Sequence, residues 1–272
     1  MKTTSTIFLT TALPCEAKPL IAHFKLKKAT DLHAFEIYRN GKMHLTVTGP
    51  GKIAMSAGVA YTRASIGAIN NAISINIGVA GHRAHPLGSA WTCHKISDLE
   101  TGKSFYPMPV YGISCATMSI LTASKPQLDY DHEHLCDMEA SAFFETAAKF
   151  STSELIQCFK IVSDNLDAPG PHLDPAHVSA SIRNNIDGLA ALIETLERRV
   201  KSIETTDHPD FERCVRHYRL TVSQQLRLKA LLSRLSALLN GAHTPIDTEN
   251  IPSGKALLEE LTRRIDSVPY EL

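Results

Sequence analysis

The stretches Leu135-Cys-Asp-Met-Glu-Ala-Ser-Ala-Phe-Phe144 and Phe159-Lys-Ile-Val-Ser-Asp-Asn-Leu-Asp167 decide how the chain folds. The first opens an apolar run with helical spacing at Asp137, and the second leaves Asp164 at the end of a buried strand. In open α/β sheets, ligands bind beyond the carboxyl ends of the strands. The two acids are therefore predicted to converge on one rim of the sheet and to share a pocket.

Capping is the alternative role for each of these acids. Asp137 or Glu139 can cap the helix that follows, and Asp164 can cap a turn. Caps are the commoner fate of such residues. A cap would account for the position of each acid by itself, without a shared pocket, so the capping role and the pocket role both stay open at this point.

The overall composition favours a small ligand. The 272 residues include 28 basic and 28 acidic ones, so no net field attracts nucleic acid or an anionic membrane. No stretch approaches the ~20 apolar residues that a membrane span requires. The six cysteines include no Cys-x-x-Cys pair, which predicts free thiols in a reducing, cytoplasmic compartment.

Buried strands and helices alternate over the first two thirds of the chain. Thr6–Leu13 reads as a buried strand, Asn40-Gly41 as the turn of a hairpin, Ile53–Ala72 as a helix of small residues and Ala72–Val79 as the next buried strand. This order predicts an α/β fold with a mixed, mainly parallel central sheet that is covered by helices on both faces.

The last third of the chain carries only helical signals. Asp174–Ile203 reads as one long amphipathic helix, and after a polar break Val222–Leu239 and Ser253–Val268 read as two more. We therefore predict an α/β domain over residues 1–204 and an α-helical C-terminal extension over residues 205–272.

Two stretches look like metal or cofactor sites but lack the spacing these sites need. His132-Glu-His134 places neighbouring side chains in divergent directions and lacks a His-Glu-x-x-His pattern. Gly49-Pro-Gly-Lys52 matches neither phosphate-binding glycine motif. The prediction is a site without metal and without cofactor.

Several motifs, in this order and spacing, resemble the nucleoside phosphorylase/nucleosidase superfamily, with the closest likeness to its methylthioadenosine/S-adenosylhomocysteine nucleosidases. The resemblance extends from Ile7 to about Arg199. Three turns carry it: the acidic first turn, Ala12–Glu16, the Gly-Lys turn, Thr48–Lys52, and the Gly-x-Ala-Gly turn, Asn76–Gly81. Two further motifs, Asp137–Ala142 and Ile161–Asp164, lie within the stretches quoted above.

The resemblance implies a role for each of three carboxyl groups. Asp164 matches the acid that protonates or hydrogen-bonds N7 of the purine, Glu139 the carboxylate that holds the ribose hydroxyls, and Glu16 the glutamate that orients the attacking water. The further residues that it implies for substrate binding are Val79, Ala80, Gly81, Met118, Asp137, Met138, Lys160 and Ser163.

The first turn favours hydrolysis over phosphorolysis. Phosphorylases of the superfamily place glycine and arginine there, because a phosphate dianion needs such donors. This chain has Pro14, Cys15 and Glu16 instead, and an extra carboxylate would repel the dianion. The predicted function is hydrolysis of the N-glycosidic bond of a purine nucleoside similar to methylthioadenosine or S-adenosylhomocysteine.

Two other functions remain as alternatives. One is a purine nucleoside phosphorylase. The other is a nucleoside-binding protein with little turnover, because Val79 and Lys160 stand where the nucleosidases usually carry serine and arginine.

The resemblance also implies a homo-oligomer, for which we expect a dimer. The leucines of Val222–Leu239 form an apolar stripe too wide to leave in water. We expect this stripe to pack on residues 1–204 or to join a subunit interface. A chain that ends at Glu204 is then predicted to be poorly soluble.

Overall fold

The computed structural model of the protein describes residues 5–67, 71–110, 115–170, 174–204, 210–239, 245–248 and 250–267. The chain divides into two compact units, Met1–Val200 and Lys201–Leu272. Each unit has its own cluster of buried apolar side chains.

The described strands form one mixed sheet in the first unit. They are β1 (Ile7–Thr11), β2 (Lys27–Lys28), β3 (Glu36–Asn40), β4 (Met43–Val47), β5 (Ile73–Gly81), β6 (Ala90–Asp98), β7 (Ser104–Phe105), β8 (Ala116–Thr122), β9 (Leu135–Asp137) and β10 (Ile156–Asp164). Their order is β10-β6-β8-β9-β5-β1-β4-β3-β2, with β7 beside β6, and a further β10–β5 pairing closes five strands into a ring.

The parallel ladders bring three strand ends to one edge. β1 pairs with β5 in parallel from Ile7 opposite Ile73, and β5 pairs with β10 in parallel from Ser74 opposite Ile156. The sequences of these three strands are rich in Ile, Val and Phe, and almost all of their residues are buried. Both features are typical of strands that are covered on both faces of a sheet. Their carboxyl ends therefore meet.

The helices of the described residues are α1 (Pro14–His23), α2 (Lys52–Ile66), α3 (Ala140–Ala147), α4 (Pro175–Asn184), α5 (Ile186–Glu204), α6 (Phe211–His217), α7 (Val222–Leu238) and α8 (Gly254–Ser267). A 3-10 turn, Ser153–Leu155, precedes β10.

Helices lie on both faces of β10. Cys158 belongs to a buried cluster that includes Met55 of α2 and Phe143 of α3. The next residue, Phe159, contacts the position of Gly188 in α5, where an added Cβ would lie 3.6 Å from its ring. Because successive side chains of a strand point to opposite faces, α2 and α3 cover one face and α5 covers the other.

Two predicted helices are shorter than expected. The single helix predicted over Asp174–Ile203 is broken at Asn185, whose side-chain amide donates to the backbone carbonyls of Gly88 and Ser181 at 2.9 Å. Such side-chain bonds compete with helical ones. The helix predicted over Ile53–Ala72 ends at Ile66, because Gly67 has a φ of 97°.

The second unit covers part of its own apolar stripe. Leu228, Leu232 and Leu235 of α7 share one buried cluster with Leu257 and Leu261 of α8. Part of the stripe is therefore covered within the helical extension itself, whereas Leu226 is exposed. Packing on residues 1–204, a subunit interface and the poor solubility of a chain that ends at Glu204 stay predictions. Val268, the predicted end of the last helix, lies outside the described residues. No helix in the described ranges is both long and apolar enough to cross a membrane.

Candidate active site

A cavity of about 270 Å³ opens beyond the carboxyl ends of β1, β5 and β10. Its lining comes from the last residues of β5, β9 and β10, from the turns after β1 and before α2, from the starts of α1 and α3 and from two loops. It consists of Ala12, Leu13, Glu16, Pro50, Val79, Ala80, Gly81, Pro126, Gln127, Leu128, Cys136, Asp137, Met138, Glu139, Ser163, Asp164 and Gly170. The structure thus brings together every predicted site residue except Lys160 and Met118.

Glu16 is fixed between two strands. Its Oε2 accepts the amide N–H groups of Ala12 (3.0 Å) and Leu13 (2.8 Å), and its Oε1 accepts that of Val79 (3.0 Å). A Cβ on Gly78 would lie 2.8 Å from Oε1, so glycine permits this approach. Burial raises the pKa of Glu16, although the amide donors and the nearby Lys160 charge oppose the shift.

Asp164 ends β10 and is held by two hydroxyl groups. The Ser163 hydroxyl donates to Oδ1 at 2.5 Å and the Tyr130 hydroxyl donates to Oδ2 at 2.7 Å. A Cβ on Gly81 would lie 2.8 Å from Oδ2, so the last residue of β5 must be small. Among the described residues, the donors to the Asp164 side chain are these two hydroxyls and no backbone amide.

Glu139 faces the cavity at the start of α3 without capping that helix. Its Oε1 accepts the amide N–H of Gly51 at 2.7 Å, and Oε2 accepts that of Met138 at 3.3 Å. Gly51 has a φ of 94°, which favours glycine. Burial, followed by the charge of Asp137, raises the pKa of Glu139 to about 7. Such a carboxyl group exchanges its proton near neutral pH.

Asp137 is the residue that caps α3, as the capping alternative allowed. Its Oδ2 accepts the amide N–H of Ala140 at 2.8 Å, and its Oδ1 accepts the Thr122 hydroxyl at 2.7 Å. Oδ2 also lies 2.8 Å from Nζ of Lys160, and both side chains of this ion pair are almost fully buried. Burial alone lowers the pKa of Lys160, but the neighbouring charges, Asp137 foremost, outweigh it and raise that pKa. Lys160 therefore lies behind the cavity lining.

Replacing Glu139 with glutamine is expected to change how stability depends on pH. The folded protein holds the Glu139 proton more tightly than the unfolded chain, whose reference pKa is 4.5. The stability from this group is complete below about pH 4.5 and is lost as the pH rises through about 7. Glu139→Gln should therefore match the wild type near pH 4 and exceed it near pH 8, by up to about 3 kcal/mol in the free energy of unfolding.

Thermal melts from pH 4 to 8 check this prediction. Glu133→Gln is the matched control, because the Glu133 side chain is 87% exposed, and its melting curve should follow that of the wild type at every pH. Parallel curves for Glu139→Gln and the wild type would contradict the prediction.

The segment between β8 and β9 supplies lining residues that sequence reasoning missed. Pro126, Gln127 and Leu128 come from the segment between β8 and β9, and the buried Tyr130 of the same segment reaches Asp164. Apolar periodicity cannot find such residues, because the segment has neither helical nor strand spacing. The predicted base contact, Met118, instead packs partly buried against the apolar cluster of α2 and α3.

His82 stabilises the turn after β5. Its Nδ1 accepts the amide N–H groups of Ala84 (3.0 Å) and His85 (2.9 Å). The rings of His132 and His134 stack on each other at 4.7 Å. In the part of the chain that the structure describes, no three His, Cys, Asp or Glu side chains converge as metal ligands.

Solved structures with the same fold are found, although no model of a known family and no curated protein sequence matches the chain. The methylthioadenosine/S-adenosylhomocysteine nucleosidase of Helicobacter pylori with butyl-thio-DADMe-Immucillin-A matches with a TM-score of 0.56 at 12% identity, over 70% of this chain and 98% of that one. The chain has the methylthioadenosine/S-adenosylhomocysteine nucleosidase fold. This confirms the fold that the motifs predicted.

Two more solved structures share this nucleosidase fold. The methylthioadenosine/S-adenosylhomocysteine nucleosidase of Colwellia psychrerythraea, in complex with adenine, matches with a TM-score of 0.56 at 14% identity, over 72% of this chain and 96% of that one. The futalosine hydrolase of Helicobacter pylori matches with a TM-score of 0.55 at 13% identity, over 70% and 97%. At these identities the likeness concerns the fold, and the site chemistry is argued from the residues themselves.

Proposed function

We propose that the protein is an N-glycosidase that hydrolyses a purine nucleoside in this cavity. The observation that carries the proposal is that three carboxyl groups from separate parts of the chain, Glu16, Glu139 and Asp164, line one cavity. All three are buried, so the charges and hydrogen bonds that they offer a ligand are little screened by water.

The hydrogen bonds already made leave each carboxylate with a definite capacity for a ligand. A carboxylate has about four acceptor sites. Glu16 uses three of them on amide N–H groups, which leaves about one, enough for a water molecule. Glu139 uses two, which leaves about two for a pair of ribose hydroxyls. Asp164 also uses two, and in its protonated form it has one O–H donor for a purine ring nitrogen besides a remaining acceptor site for an amino group of the base.

These capacities fit the chemistry of ribose–base cleavage. The transition state resembles an oxocarbenium ion, so the departing base must receive a proton or a hydrogen bond while the sugar becomes positive. Asp164 acts on the base and Glu139 holds the ribose hydroxyls. Glu16 orients the water that attacks the sugar on the opposite face and accepts its proton.

The charge of the lining supports water over phosphate as the nucleophile. No arginine, lysine or histidine is among the described residues that line the cavity. Lys160 already pairs with Asp137 behind the lining. A phosphate dianion would therefore meet carboxylates without the donors that usually bind it.

The structural neighbours suggest which nucleosides to try. Those proteins are named as nucleosidases of methylthioadenosine and S-adenosylhomocysteine and as a futalosine hydrolase. The apolar residues of the present lining, such as Leu13, Leu128 and Met138, suit a nucleoside with an apolar 5′ group.

The test is to incubate the protein with methylthioadenosine, S-adenosylhomocysteine, futalosine, adenosine and inosine, each with and without phosphate. Free base released without phosphate is the expected result. Strict dependence on phosphate, with ribose 1-phosphate as product, would replace the proposal by the phosphorylase alternative. A nucleoside that raises the melting temperature without any turnover would instead indicate a binding protein. Such a shift is measurable, because ligand at ~100 times its dissociation constant adds ~2.7 kcal/mol to the stability of the folded protein.

The homodimer and the cytoplasmic location stay predictions. The six cysteines are all free thiols, which suits a reducing compartment.

A further inference from the structure

Tyr130 connects the proposed acid to both loops of the cavity. It lies in the segment between β8 and β9 that also supplies Pro126 and Leu128, and it is 6% exposed. Its backbone has a φ of 51°, in the left-handed region that residues other than glycine seldom adopt. Such conformations cluster at functional sites, where the surrounding contacts fix them.

The hydrogen bonds of Tyr130 aim its proton at Asp164. The amide N–H of Gly170 donates to the phenol oxygen at 3.1 Å, and the phenol donates to Oδ2 of Asp164 at 2.7 Å. Burial raises the pKa of Tyr130 to about 12, so the phenol remains a donor at any physiological pH. Gly170 lines the cavity from the loop after β10, so this chain of bonds links both loops to the acid.

We infer that Tyr130 is a positioning residue that holds the Asp164 carboxyl group in the orientation needed to act on the departing base. The inference rests on the proposed function. Ser163 fixes the other oxygen, Oδ1, and two hydrogen bonds from opposite sides prevent the carboxyl group from rotating about its Cβ–Cγ bond. A group fixed in this way meets the base without reorganising during the reaction.

Tyr130→Phe keeps the ring and removes only the hydroxyl. Loss of the hydrogen bond that fixes Oδ2 of Asp164 is expected to lower kcat on the natural leaving base about 10- to 100-fold, with KM within about twofold of the wild type. Tyr38→Phe is the matched control, because the Tyr38 hydroxyl also donates to a carboxylate, that of Glu36, but outside the cavity. It should leave kcat unchanged.

A 4-nitrophenyl riboside with the same 5′ group separates positioning from mere support of the loop. Nitrophenolate leaves as a stable anion and needs no proton from Asp164, so Tyr130→Phe and Asp164→Asn should both cleave it at close to the wild-type rate. On the nucleoside, adding Tyr130→Phe to Asp164→Asn should lower kcat by less than about twofold more, because both changes act through one group.

The rates on the two compounds distinguish a positioning role of Tyr130 from mere support of the loop. If Tyr130→Phe is impaired equally on the nucleoside and on the nitrophenyl riboside, or if the two substitutions are additive, Tyr130 only supports the loop and the inference is overturned. A wild type that cleaves neither compound would overturn the proposed function as well. A wild type that cleaves both, with the nucleoside reaction alone weakened by Tyr130→Phe, supports both.

Discussion

Asp164→Asn is expected to lower kcat for the preferred nucleoside about 10²- to 10⁴-fold, which is the usual contribution of a general acid. Asparagine has almost the same shape as aspartate, and its amide oxygen can still accept one of the hydroxyl donors, Ser163 or Tyr130. It cannot deliver a carboxyl proton to the base. Steady-state kinetics with the best substrate of the panel measure the loss.

Asp167→Asn is the matched control for this substitution. Asp167 is an exposed acid three residues further along, and it does not line the cavity. Its replacement should leave kcat unchanged. If Asp164→Asn keeps kcat within a factor of ten of the wild type while its melting temperature shows that it is folded, Asp164 is not the acid and the assignment of the base end of the cavity is wrong.

The sequence predicted best what depends on buried apolar runs. Thr6–Leu13 and Leu155–Val162 carry enough consecutive apolar residues to be strands covered on both faces, and strands of this kind pair in parallel. Their carboxyl ends must then meet at one edge, which is why Asp164 and the residues near Glu16 reach the same cavity. Proximity at a strand end follows from topology and needs no knowledge of side-chain contacts.

Long-range polar contacts could not be predicted in this way. Tyr130 lies in a segment without periodicity, and its partner Asp164 is 34 residues away in the chain. Asn185 breaks a continuous amphipathic pattern because its amide finds the carbonyl of Gly88, a partner that only the folded chain supplies. Capping chemistry also left Asp137 and Glu139 indistinguishable, since either can stand before a helix.

The C-terminal helices illustrate a different limit. An apolar stripe indicates that something covers a helix, but it does not specify what. Leu228, Leu232 and Leu235 of the α7 stripe pack with α8 within the same unit, a partner that sequence reasoning did not consider beside the first domain and another subunit.

Lys160→Met is expected to lower the free energy of unfolding by about 3–5 kcal/mol, because it leaves the buried Asp137 carboxylate without its counter-charge. For a unit of about 200 residues this corresponds to a fall of roughly 10 °C in melting temperature. Lys28→Met is the control, since Lys28 makes an equally short ion pair with Glu36 on the surface and should change the melting temperature little.

The same variant distinguishes a structural lysine from one that contacts the substrate. The resemblance implied substrate binding by Lys160, but this side chain is 1% exposed and its ammonium group pairs with the residue that caps α3. Asp137→Asn added to Lys160→Met removes the uncompensated charge and should restore part of the lost stability, as replacing both partners of a buried pair commonly does. If Lys160→Met instead melts like the wild type and raises KM, the lysine contacts the substrate and its structural assignment is wrong.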